Sequence, residues 1–151
     1  MLQLYSKGCE YVLQVFSSLP PLGKGKKFSI RNICMKHHIP EWSTRKQFQR
    51  LVHHGFLTAA QGPGGGYQFK TTPRKISVLK LIEALDGKNA LKGCAMGFPE
   101  CVERKPCVLH EFYKPIRNRL ISELNLLTIQ QIMDRGRFQW IFSDPKTRGA
   151  T

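Results

Sequence analysis

Phe56 to Lys70 reads FLTAAQGPGGGYQFK, and no other stretch limits the possible folds of this chain as tightly. Four glycines and a proline within Gly62–Gly66 cannot continue a helix. Short strand-like pieces, FLTAA and YQFK, flank QGPGGG, so the segment predicts a β-hairpin whose tip takes positive φ angles and passes close to another surface. What precedes it sharpens the reading. Tyr11, Val12, Val15, Phe16 and Leu19 recur on one helical face that stops before Pro20 and Pro21. Ser29 is placed to cap a short helix, IRNICMKHH, with Ile30, Ile33 and Cys34 turned inward. Ile39-Pro40 breaks it. A second helix follows over Glu41 to His54, with Phe48, Leu51 and Val52 inward and Gly55 as the stop. Helix, turn, helix, hairpin is the order of a winged helix-turn-helix.

Beyond the hairpin, Ser77 caps a helix whose Val78, Leu81, Ile82 and Leu85 pack and which Gly87 ends. Further on, Phe112, Ile116, Leu120, Leu124 and Leu127 form one apolar stripe on a long helix. Too little chain remains to cover that stripe, so it predicts a dimer seam. The fold class is therefore mainly α with a small β-hairpin wing: a winged helix-turn-helix plus a long C-terminal dimerisation helix. The domain expectation is a DNA-binding unit over 1–87, a cysteine-rich loop over 88–111, a dimerisation region over 112–133 and a basic tail over 134–151, in which Phe138, Trp140 and Phe142 dock.

Charge narrows the partner. Lys and Arg number 24 against 10 Asp and Glu, for a net +14 and a pI near 9.9. So one-sided a charge calls for an anion, nucleic acid before an acidic membrane surface. No apolar run is long enough to span a bilayer, and the N-terminus lacks a signal-peptide pattern, so a reducing cytoplasm is expected. An odd count of five cysteines argues against a disulfide framework.

Three of those cysteines lie in CAMGFPECVERKPCVLH. Six residues separate Cys94 from Cys101, five separate Cys101 from Cys107, and His110 stands three beyond Cys107. Four soft or borderline ligands on a Gly/Pro loop suit zinc or an iron–sulfur cluster. No tight Cys–Cys pair of the structural-zinc kind occurs, and the wider spacing suits a cluster. Idle thiols, or a metal-free thiol switch tuned by Arg104 and Lys105, are the alternatives. Cys34 reads as a small core residue; the role of Cys9 stays open.

Taken together, SKGCEYVLQVF, the IP turn, LVHHGFLTAAQGPGGGY, ISVLKLIEALDG and the three cysteines resemble a family of winged-helix repressors. It is typified by the bacterial iron–sulfur cluster regulator, the nitric-oxide-sensitive repressor and the cysteine-metabolism repressor. The resemblance runs from residue 4 to about 133. It implies a homodimer with crossing C-terminal helices, a palindromic double-stranded DNA operator and, in many members, an iron–sulfur cluster: 2Fe–2S favoured here, 4Fe–4S the other possibility. It implies Cys94, Cys101 and Cys107 as ligands, with His110 as the fourth or, alternatively, Glu10 of the partner subunit. The first cysteine spacing is one residue longer than in the iron–sulfur cluster regulator.

On the expected recognition helix, EWSTRKQFQRLVHHG, the outward residues are Trp42, Ser43, Arg45, Lys46, Gln49 and Arg50. Arg45 and Lys46 suit guanine, Gln49 suits adenine, and Arg50 suits phosphate. On the wing, Gln61, Gly62, Pro63, Gly64 and Tyr67 are the contact candidates, and Lys24, Lys26, Lys27 and Arg31 add an electrostatic flank. Where Gln61 stands the family often has arginine, and where Ser43-Thr44 stand it often has aromatic-leucine. An enzyme is not expected: there is no nucleophile elbow, Walker loop or His–Glu metal pair. An RNA-binding protein is a lesser alternative, since no aromatic sheet platform is evident.

Overall fold

A computed structural model describes residues 4–22, 25–98 and 101–136. The expectations placed on Lys24, Phe138, Trp140 and Phe142 fall outside them. Among the described residues, six helices and one hairpin follow in the order α1 Lys7–Ser18, α2 Ile30–His37, α3 Glu41–His53, β1 Leu57–Ala60, β2 Gly66–Phe69, a 3₁₀ turn Pro73–Lys75, α4 Val78–Asp86, α5 His110–Leu126 and α6 Ile129–Arg135.

Local chemistry sets the ends. The Ser6 hydroxyl accepts the Cys9 N–H at 3.2 Å and caps α1. The same residue donates its N–H and hydroxyl to the Asp86 carboxylate at 2.7 and 2.5 Å, tying the start of α1 to the end of α4. Between α2 and α3, His38 takes a left-handed conformation (φ 54°) and Pro40 launches α3. Ser29 occupies the N-cap of α2 as expected, but its hydroxyl makes no cap bond. Ser77 does cap α4, accepting from Lys80 N–H at 3.2 Å.

The core gathers these elements around five aromatic rings. Phe48 of α3 meets Phe16 of α1 at 5.5 Å and Tyr67 of β2 at 5.1 Å; Phe28 lies 5.6 Å from Phe69. Phe28 also exchanges both backbone hydrogen bonds with Tyr67 at 2.8 Å, a third rung beside the two-stranded hairpin. That close pairing explains Gly66. Its φ is 138°, and a Cβ there would stand 2.5 Å from the Phe28 carbonyl oxygen. Cys9 and Cys34 are buried in the same core.

The C-terminal region departs from the expected single helix. α5 stops at Leu126, Leu127 is its C-cap, and Thr128 opens α6 with a capping box closed by Gln131. Val78 N–H donates to Leu127 O at 2.8 Å and Ile129 N–H to Ile76 O at 2.9 Å, so the chain turns back and α6 packs on α1. Leu124 and Leu127, both half-buried, consequently pack against the intrachain core. Phe112 and Ile116 remain exposed, by 72% and 51%, and Leu120 is half-buried.

Candidate DNA interface and cysteine site

α3 is fixed from below and free above. Phe48, Leu51 and Thr44 are buried, and the Thr44 and Ser43 hydroxyls donate to the Pro40 carbonyl at 2.7 and 3.2 Å. The opposite face exposes Trp42, Arg45, Lys46, Gln49 and Arg50, as the sequence reading expects; Ser43 is half-buried. These side chains are not equally available. Arg45 pairs with Glu41 at 2.5 Å, one turn away. Arg50 donates to Gln47 Oε1 at 3.3 Å and to the Ala84 carbonyl at 3.4 Å, so it anchors α3 to α4. The Lys46 ammonium sits 3.6 Å from the Trp42 ring centroid, a cation–π contact.

Beside α3, the wing carries exposed Gln61, Gly62, Pro63 and Gly64 at its tip. Gly65 N–H donates to Gly62 O at 2.9 Å to close the turn. Tyr67 is only 7% exposed and packs at a tilt against Phe48, so it sits at the base of the wing and lines the groove from below. Burial holds its hydroxyl above the usual range, against the opposing charge of Arg45. A groove of about 410 Å³ runs between α3 and the wing, lined among others by Ser29, Arg31, Arg45, Gln49, Gln61 and Gly66. Arg31 therefore belongs to the groove itself.

The second site is the loop between α4 and α5. Cys94, Cys101, Cys107 and His110 all line one concavity of about 350 Å³, with Phe98, Val102 and Lys105. The donors come as two pairs. Cys94 Sγ lies 4.0 Å from Cys107 Sγ, and Cys101 Sγ lies 3.2 Å from His110 Nδ1. Backbone N–H groups of Met96 and Phe98, with help from Cys107, hold the Cys94 thiol below its ordinary range. Among the described residues no three such donors converge on one ion position. Two contacts from α5 hold the loop. Arg117 donates to the Lys92 and Gly93 carbonyls at 3.2 and 3.3 Å, just before Cys94, and Lys114 pairs with Glu103. Sequence reasoning missed both, because an arginine or lysine on a helix face looks solvated until its loop is placed.

Glu10 does not line that concavity in its own chain; it pairs with Lys7 at 2.6 Å. The Cys9 thiol is pushed up to about 12 by burial, aided by the charges of Asp86 and Glu10, which makes it a neutral core residue.

A helix-turn-helix that presents an exposed basic helix face beside a glycine wing defines the winged-helix class of protein. Residues 5–135 match the Rrf2 family, described as iron-dependent transcriptional regulators, and the chain belongs to that family. A Haemophilus influenzae protein named as an HTH-type transcriptional regulator is 27% identical over 134 residues, 89% of this chain and 88% of that one. IscR of Escherichia coli is 29% identical over 107 residues, 67% of this chain and 65% of IscR. In structure, the global cysteine regulator CymR of Bacillus subtilis superposes with a TM-score of 0.68 at 20% identity, covering 89% of this chain and 98% of CymR. IscR of T. potens superposes at 0.61 with 18% identity, covering 88% and 87%. At these identities the superpositions speak for the fold.

Proposed function

We propose that this regulator acts as a homodimer on palindromic double-stranded DNA, and that an iron–sulfur cluster held by Cys94, Cys101, Cys107 and His110 gates its binding. The observation that carries this is the arrangement of four donors as two pairs in one concavity. Two ligands on one tetrahedral metal with bonds of about 2.3 Å stand roughly 3.8 Å apart. The Cys94–Cys107 separation of 4.0 Å suits a shared iron, and the Cys101–His110 pair suits a second. Two pairs fit a 2Fe–2S centre better than one zinc ion. When bound, the cluster supplies sensitivity to oxygen, nitric oxide, iron supply or redox state.

The chain's own residues supply the transmission. Arg117 and Lys114 tether the loop to α5, so loop order bears on the placement of that helix. The exposed face of α5 around Phe112, Ile116 and Leu120 is the seam for a second copy, and helix position in the seam sets the distance between two α3 helices. Glu10 of the partner subunit remains the alternative fourth ligand. Anaerobic purification with a visible spectrum and iron and sulfide assays tests the reading. Brown protein with iron and acid-labile sulfide supports it, and His110→Ala against Glu10→Ala decides the fourth ligand. Colourless protein after attempted reconstitution overturns it.

The second reading is a thiol switch. The depressed Cys94 thiol facing Cys107 favours it. Two thiols would then join as one disulfide, giving two electrons and two protons to an oxidant such as a peroxide. A Cys94–Cys107 cross-link in non-reducing peptide mass spectra of the iron-free protein supports that reading.

A further inference from the structure

We infer that Trp42 is a specificity-determining residue of the recognition helix and reads the 5-methyl group of a thymine in the major groove. The inference rests on the DNA-binding reading and names one chemistry within it. Trp42 is the second residue of α3 and is 70% exposed. The opening turn of a recognition helix is the part that reaches base edges. A large indole left in water there is a cost unless something covers it, and the apolar feature that a major groove offers is the thymine methyl.

Three features make the indole a reader and not a loose side chain. Ser43 and Thr44 clamp the turn that carries it to the Pro40 carbonyl. Lys46 lies over one ring face at 3.6 Å, which restrains the ring and leaves its other surface free. That lysine also keeps a positive charge beside the indole, where it suits the acceptor edge of a guanine or a phosphate. The neighbouring cation is committed elsewhere, since Arg45 pairs with Glu41. Trp42, Lys46 and Gln49 fall at i, i+4 and i+7, one stripe along the helix. Of these, only Gln49 also lines the groove toward the wing. Trp42 and Lys46 thus form the leading edge of the surface, and Gln49 with Arg31 the edge toward the wing.

The test starts from selection of bound duplexes out of a random double-stranded library by the full-length protein. Each thymine of the selected sequence is then replaced by uracil, which removes the methyl and nothing else. The expected result is one thymine per half-site whose replacement weakens wild-type binding about fourfold, the value of burying one methyl-sized group. Trp42→Ala is expected to weaken binding and to lose that thymine–uracil difference, while Trp42→Phe keeps part of it. Trp42 is exposed, so both variants should fold; unchanged circular dichroism and salt-dependent binding to an unselected duplex confirm that. Uracil replacement without effect at every thymine overturns the inference. So does a Trp42→Ala protein that retains full affinity and discrimination, which would assign the indole to a protein partner. If wild type selects no duplex at all, the DNA-binding reading fails and the inference with it.

Discussion

Residues of one type can have opposite fates here, and the five cysteines show it. Cys34 reads as core from its place on an apolar stripe, and the structure agrees. Cys9 stayed open because one cysteine near a helix start has no periodic partner; only the tertiary packing around α1 buries it. Its folded value near 12 against an ordinary 9.0 has a consequence. The fold favours the protonated thiol, so the contribution is intact below pH 9 and declines as pH rises from about 9 towards 12. Thermal melts across that window should show a fall that Cys9→Ala reduces. At pH 8, iodoacetamide should label the loop cysteines of the iron-free protein while Cys9 stays unlabelled until the protein unfolds; peptide mass spectrometry reads this. Early labelling of Cys9 in folded protein would contradict its burial. Phe48 makes a second residue-scale case. Buried between Phe16 and Tyr67, it should cost about 3–5 kcal/mol when cut to alanine, measured by denaturant unfolding.

Among the elements, the wing was the most legible and still held a surprise. Glycine content and flanking strands gave its position; β1 falls within the expected FLTAA, whereas β2 begins one residue before the expected YQFK, at Gly66. Tyr67 was expected on the contact surface. The register that pairs Tyr67 with Ala59 aims its ring at Phe48, because neighbouring strand residues face opposite sides. Gly66 is the position on which the wing depends. Gly66→Ala should destabilise by more than about 2 kcal/mol, through an unfavourable φ and a clash with the Phe28 carbonyl. A melting temperature unchanged from wild type would show that the Phe28 segment can move away at little cost. The end of α5 is the opposite case. Thr128 and Gln131 carry the spacing of a capping box, a sequence signal for a new helix start that the longer apolar stripe masked.

For the whole molecule, splitting that stripe changes what a mutation does. Leu124 packs on the chain's own core, whereas Phe112 stands in solvent. Leu124→Asp should lower the melting temperature. Phe112→Asp should leave folding intact but shift the protein towards monomer in sedimentation, if α5 is the seam. A dimer that survives Phe112→Asp together with Ile116→Asp would place the seam elsewhere. The net charge of +14 belongs to this scale too. Affinity for duplex DNA should fall steeply with salt as counterions are released, and replacing Arg31 by alanine should reduce the slope by about one unit. A slope that does not change would remove Arg31 from the phosphate contacts.

The sequence by itself determined the parts that are local: the helix starts and stops up to the end of α4, the hairpin, the outward face of α3, and the four soft donors. Those follow from short-range sterics, capping and periodicity, which a few neighbouring residues fix. Tertiary structure decided which of those residues are free to act. Asp86 reaching Ser6, Ala84 accepting from Arg50, Leu127 accepting from Val78 and Arg117 gripping the loop all join residues far apart in sequence. No local pattern encodes such a partner, because each contact exists only once the core has brought the two segments together.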